Sequence, residues 1–133
     1  MKQPTVQVAL DLNDEWAKAQ EGSDAPSMLI TGVVVARSAF IDENPQAVSD
    51  FLDAYKQSVA YANEHADETA ALIGQYDIIT EEVAKVALPQ CAIVYIDGEE
   101  MTQALSGYLQ VLYDQNPASV GGALPDEAFY YQR

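Results

Sequence analysis

The 133-residue chain carries 21 acidic residues against 6 Lys plus Arg, a net charge of -15, on an otherwise ordinary globular composition with 49% hydrophobic residues. The length suffices for one compact domain with a core, and the composition argues against disorder. The charge excludes nucleic acid and anionic lipid as partners, because binding either needs clustered Lys or Arg to replace counterions, and here Arg37, Lys56 and Lys85 are scattered.

Cys91 is the single cysteine and His65 the single histidine. No internal disulfide, cysteine metal cluster or His-rich metal site can be built from them, and few triad designs remain. Neither a metal nor a cofactor is expected. No apolar run approaches the length of a membrane span. Gln3, Pro4 and Thr5 after Lys2 open no apolar signal region, so any export signal is expected upstream of this segment.

In chain order, Thr5–Leu12 alternates weakly and reads as a short strand, and Asn13-Asp14 opens a helical turn around Trp16. Glu21–Ser27 is a polar loop punctuated by Gly22 and Pro26. Met28–Ala36 follows, and its second half, Gly32–Ala36, is a β-branched apolar run without alternation, the pattern of a strand buried on both faces. From Asn44 the period turns helical. Asn44 suits an N-cap and Pro45 the first helical position, and Val48, Phe51, Leu52, Tyr55 and Val59 share one face.

A second helix is expected from Asp67 to Gln75, and a third, capped by Thr80 with Glu81 and Glu82 against its dipole, runs until Pro89. Cys91–Ile96 reads as extended. Asp97 and Glu100 stand at capping-box spacing before a fourth helix carrying Met101, Leu105, Tyr108, Leu109 and Leu112, which Asn116-Pro117 closes. Val48, Phe51, Leu52, Leu105, Leu109 and Leu112 are the expected core. One strong strand and one or two weak ones leave too little sheet for these helices to cover, so the chain reads as part of a larger α/β unit.

Chemistry-bearing patterns mostly dissolve on inspection. Asp11, Asn13 and Glu15 alternate like a calcium loop, but Trp16 stands where such a loop needs glycine. Glu81-Glu82 and Glu99-Glu100 lie in helix first turns, where acids are expected without catalysis. Gly121-Gly122 lacks the Lys-Ser/Thr of a phosphate loop, and no nucleophile elbow is present. The chain is therefore not expected to be an enzyme.

Several strings, in order, resemble solute-binding proteins of the nitrate/sulfonate/taurine type. They are Leu10-Asp-Leu-Asn-Asp-Glu-Trp16, Thr31-Gly-Val-Val-Val-Ala-Arg-Ser-Ala-Phe40, and Glu43-Asn-Pro-Gln-Ala-Val48 with Phe51-Leu52 and Ala54-Tyr55. Tyr61-Ala-Asn-Glu-His65 leading into Ala70-Ala-Leu-Ile73, and Pro89–Gly98 with Glu100-Met101, continue the likeness. It closes on Asn116–Asp126 with Phe129-Tyr-Tyr131. Many relatives have proline where this chain has Ala66.

The resemblance implies a helix-rich α/β chain, a partial type II periplasmic-binding-protein fold with an incomplete sheet. Residues 1–31 would end a second lobe, 32–40 would form a hinge-crossing strand, and 41–133 would be helices returning to a first lobe. It implies capture of a small-molecule solute for an ABC permease, outside the cytoplasm, in a periplasmic or lipid-anchored protein. Near hinge and cleft, Thr31 could donate a hydrogen bond, Gly32 could let backbone approach a ligand, and Arg37 could pair with an anionic solute. Their bland readings are a strand entry and a surface salt bridge. The alternative for the whole chain is a stand-alone acidic helical interaction module, or an orphan fragment without ligand binding. The uncovered run 32–36 predicts a homodimer of the chain.

Overall fold

The computed structural model describes residues 7–22 and 27–133. The regular elements among them are helical: α1 (Leu12–Ala19), α2 (Ser38–Glu43), α3 (Pro45–Glu64), α4 (Ala66–Gln75), α5 (Glu81–Ala87) and α6 (Gly98–Gln115), with short 3-10 turns at Leu88–Gln90, Pro117–Val120 and Glu127–Phe129. The chain divides into two compact units, one over Ala36–Tyr95 and one joining the residues up to Val35 to Ile96–Arg133.

In the first unit α3 begins where the Asn44-Pro45 signal places it, with Pro45 in the first turn. Asn44 takes the cap position, but its side chain makes no cap bond and instead donates from Nδ2 to the Phe40 carbonyl at 3.1 Å. That carbonyl lies in the last turn of α2, where Ser38–Phe40, expected at the end of the hinge-crossing strand 32–40, are helical instead. Along α3, Val48 and Val59 are buried and Leu52 is half-buried. Phe51, expected in the core, is 51% exposed. It lies about 60° round the helix from Val48, at the edge of the stripe, and stacks on Tyr55 at 5.9 Å with rings within 10° of parallel.

Helices α4 and α5 pack through small residues. Ala70 and Ala84 are buried, and a Cβ placed on Gly74 would come within 3.1 Å of both the Cβ and the backbone nitrogen of Glu81. The turn between them is tight enough to hold Asp77 at φ 53, a conformation that non-glycine residues adopt uncommonly. Thr80 caps α5 through its carbonyl, which accepts from Ala84 N at 2.9 Å, but its side chain makes no cap bond.

In the second unit Asp11 accepts from the backbone N–H groups of Asn13 (2.8 Å) and Asp14 (3.4 Å), which makes it the N-cap of α1. The Asp11-Asn13-Glu15 alternation is thus a capped first turn. Helix α6 matches the expected fourth helix, but the expected capping box does not form: Asp97 makes no side-chain cap bond and pairs with Arg133 Nε at 3.1 Å. Leu105, Leu109 and Leu112 are half-buried, and no residue of α6 is fully buried. Gly121 and Gly122 adopt φ of 83° and 92°, where glycine carries no Cβ penalty, and the Gly122 N–H closes on the Pro117 carbonyl at 2.8 Å.

The strand over 32–37 does not form. Residues 27–37 and 92–97 take no regular secondary structure, and no strand occurs among the described residues. Of the expected strand Thr5–Leu12, Thr5 and Val6 lie outside the described residues, residues 7–10 are irregular and Leu12 opens α1. Most of the polar loop, Ser23–Pro26, also lies outside them. The physical reason is non-local: a strand exists through ladder hydrogen bonds to a neighbour, and the described residues supply none. Val33, Val34 and Val35 are left 60%, 53% and 78% exposed. The core is correspondingly thin, with only Val48, Val59, Ala70 and Ala84 buried among the described residues.

Candidate functional site

Thr31 and Gly32 lie in the irregular segment and are exposed. A Cβ on Gly32 would meet nothing within 4 Å, and its φ lies outside the left-handed region. Neither packing within this chain nor backbone conformation therefore requires glycine there. Arg37 is exposed at the N-cap of α2, extended at φ -74 and ψ 136, and its carbonyl accepts from Phe40 N (2.9 Å) and Ile41 N (3.1 Å). Its guanidinium makes no cap bond. Thr31 and Gly32 belong to one unit and Arg37 to the other.

The other reactive side chains have structural settings. Tyr61 donates its hydroxyl to Glu68 Oε2 at 2.5 Å, His65 Nδ1 stands 3.8 Å from Glu68 Oε1, and the Tyr61 and His65 rings lie 4.5 Å apart. The bond to Glu68 raises the Tyr61 pKa above the ordinary phenol value, because losing the proton would break it beside a carboxylate. This cluster sits exposed at the corner where His65 ends α3 and starts α4. Glu81 pairs with Lys85 at 2.6 Å, and Glu99 accepts from Gln103 at 3.2 Å, so one acid of each first-turn pair is engaged along its own helix. Among the described residues no group of three or more His, Cys, Asp or Glu is placed to hold a metal ion, and no helix is long and apolar enough to cross a membrane.

Trp16, the only tryptophan, ties the second unit together in a way the sequence reading missed. Its ring lies 5.3 Å from that of Tyr108 on α6, and its Nε1 donates to the carbonyl and hydroxyl oxygens of Ser27, both at 3.2 Å. Ser27 in turn donates to Gln20 Oε1 at 3.0 Å. The residues that lead into Thr31-Gly32 are thereby held to α1. Replacing Trp16 by Phe keeps an aromatic ring and removes the donor. It should destabilise this unit by about 1 kcal/mol, the net contribution of one such bond, measured by urea unfolding followed by circular dichroism.

Residues 20–69 match the family model described as NMT1/THI5 like. That is a family of solute-binding proteins of the nitrate/sulfonate/taurine type, the family to which the ordered strings pointed. The matched stretch includes the Thr31–Phe40 string, all of α2 and α3, and the start of α4. No curated protein and no solved structure matches the chain. The match suggests a solute-binding role in transport, in a family that generally binds and does not catalyse.

Proposed function

We propose that this chain serves solute capture for an ABC importer, as part of an extracytoplasmic two-lobed protein of type II periplasmic-binding fold. Residues 1–31 end the second lobe, 32–40 cross the hinge, and 41–133 return to the first lobe. A small organic or anionic solute sits in the interlobe cleft, with Thr31 and Gly32 offering a hydroxyl and a close backbone approach and Arg37 offering a guanidinium. Lobe closure replaces covalent chemistry. The family match over residues 20–69 carries this reading, because it spans all three residues, α2, α3 and the start of α4. The open space at Gly32 and the exposed valines after it agree with a run whose neighbours come from other parts of the fold.

The test uses the protein as its own cells make it, recovered by a tag behind Arg133 and titrated calorimetrically with nitrate, taurine, alkanesulfonates and aminopyrimidines. One of these should bind saturably. For an anionic solute, Arg37→Ala should weaken binding roughly tenfold or more, since a hydrogen bond to a charged group contributes about 1.5–3 kcal/mol. Gly32→Ala should lower affinity and leave thermal stability unchanged. The 133-residue chain alone should bind weakly or not at all. No binding by the cell-made protein to any of these solutes, with a stable protein partner co-purifying instead, would return the chain to the acidic interaction module.

A further inference from the structure

Helix α6 carries a polar ladder. Thr102, Ser106 and Gln110 follow at four-residue spacing and stand one above another on the same face. Opposite them the C-terminal residues supply a second wall, and the recess between has a volume of about 620 Å3, inside the roughly 300–1,000 Å3 range of small-molecule sites. The tail is held in place: Gln132 Nε2 donates to Thr102 Oγ1 at 2.7 Å, and Arg133 Nε pairs with Asp97 at 3.1 Å.

A count of hydrogen-bonding capacity defines what the recess recognises. The Thr102 hydroxyl donates to the Gly98 carbonyl at 3.1 Å and accepts from Gln132. The Ser106 hydroxyl donates to the Gln103 carbonyl at 3.1 Å, and the Gln110 amide donates to Asp114 at 2.8 Å. The helix wall has therefore committed both hydroxyl protons to the protein itself. What Ser106 retains is acceptor oxygen, while Gln110 keeps its carbonyl oxygen and, like Gln132, one amide N–H. The facing wall adds the carboxylates of Asp126 and Glu127. Asp126 commits one oxygen to the Ala128 N–H at 3.1 Å and keeps the other. No Lys or Arg lines the recess. Its apolar part is Leu124, Pro125 and the half-buried ring of Tyr130. Burial raises the Tyr130 pKa, so the phenol stays neutral, and its ring meets Phe129 edge to face at 5.3 Å.

Two carboxylates with no Lys or Arg beside them repel an anion and attract a cation, and the apolar floor suits an alkyl stem. We infer that the recess between α6 and the C-terminal residues is a site for a small organic cation of the primary alkylamine class, the ammonium on Glu127, Asp126 and Ser106 and the alkyl stem along Leu124, Pro125 and Tyr130. Thr31, Gly32 and Arg37 are not among the residues that line it, and the site does not depend on the solute-capture reading.

Calorimetry on the full chain at about 0.15 M salt, where surface attraction is largely screened beyond about 8 Å, would compare n-butylamine with butyrate and butanol. Only the amine should bind, saturably and with one site per chain. Because a net charge of -15 attracts any cation weakly, two charge-matched variants separate site from surface. Glu127→Gln should weaken the amine at least fivefold, and Glu82→Gln on α5 should leave it unchanged. Circular dichroism of both variants should superpose on the parent. Equal affinities for the two variants, no saturable heat, or butyrate binding as well as the amine would each overturn the assignment.

Discussion

Sedimentation of the 133-residue chain at micromolar concentration and moderate salt is expected to give a dimer or larger species in place of the 14.5 kDa monomer. Val33, Val34 and Val35 are more than half exposed, and no residue from Ser27 to Ala36 is charged. A β-branched run without ladder partners is a template for another chain, and exchange of an identical segment between copies closes a symmetric dimer. The net charge of -15 opposes association. Salt screens that repulsion over about 10 Å at 0.1 M, whereas burying a valine side chain fully contributes roughly 1.5–3 kcal/mol. Three partly exposed valines from each copy are therefore expected to outweigh the repulsion. Val34→Lys, which places a charge in the seam, should shift the distribution to monomer. A clean monomer mass for the parent chain would show that its own residues cover the run.

The second large effect is expected at the contact of α4 with α5. Ala70 is fully buried at 0% exposure, on the same face of α4 as Gly74, where a Cβ would come within 3.1 Å of Glu81 on α5. A leucine at 70 must displace the neighbours that cover it. Ala70→Leu should cost about 1–3 kcal/mol in this unit, the usual penalty of overpacking. That is a large share of what so thin a core supplies. Ala71→Leu, the same chemical change one residue on and on the exposed side of α4, should be nearly neutral. The readout is the denaturant midpoint by circular dichroism. A similar loss for both variants would assign the effect to helix propensity or solubility and not to the α4–α5 contact.

The family resemblance was legible because it is a matter of residue order, and residues 20–69 carry it. The proposed contacts at Thr31, Gly32 and Arg37 came from that resemblance alone; nothing in their local chemistry marks them. The α6 recess combines a stripe visible at spacing four with a wall at residues 124–132. No periodicity links those two segments, so the sequence reading did not bring them together.

The sequence by itself determined the long helices. Pro45 and the stripe through Val48 and Val59 define α3, and Asn116-Pro117 ends α6, because capping and a 3.6-residue period act within a few residues of each other. Helix α2 escaped notice since six residues are too short to show a period. Only the tertiary structure decided which cap side chains were free to cap. Asn44 turned back to Phe40, and Asp97 was taken by Arg133, 36 residues away. It also decided the fate of Gly32–Ala36. The β-branched pattern carries the preference for a strand, but a strand is a relation between two segments, and no described residue stands where the second would have to be.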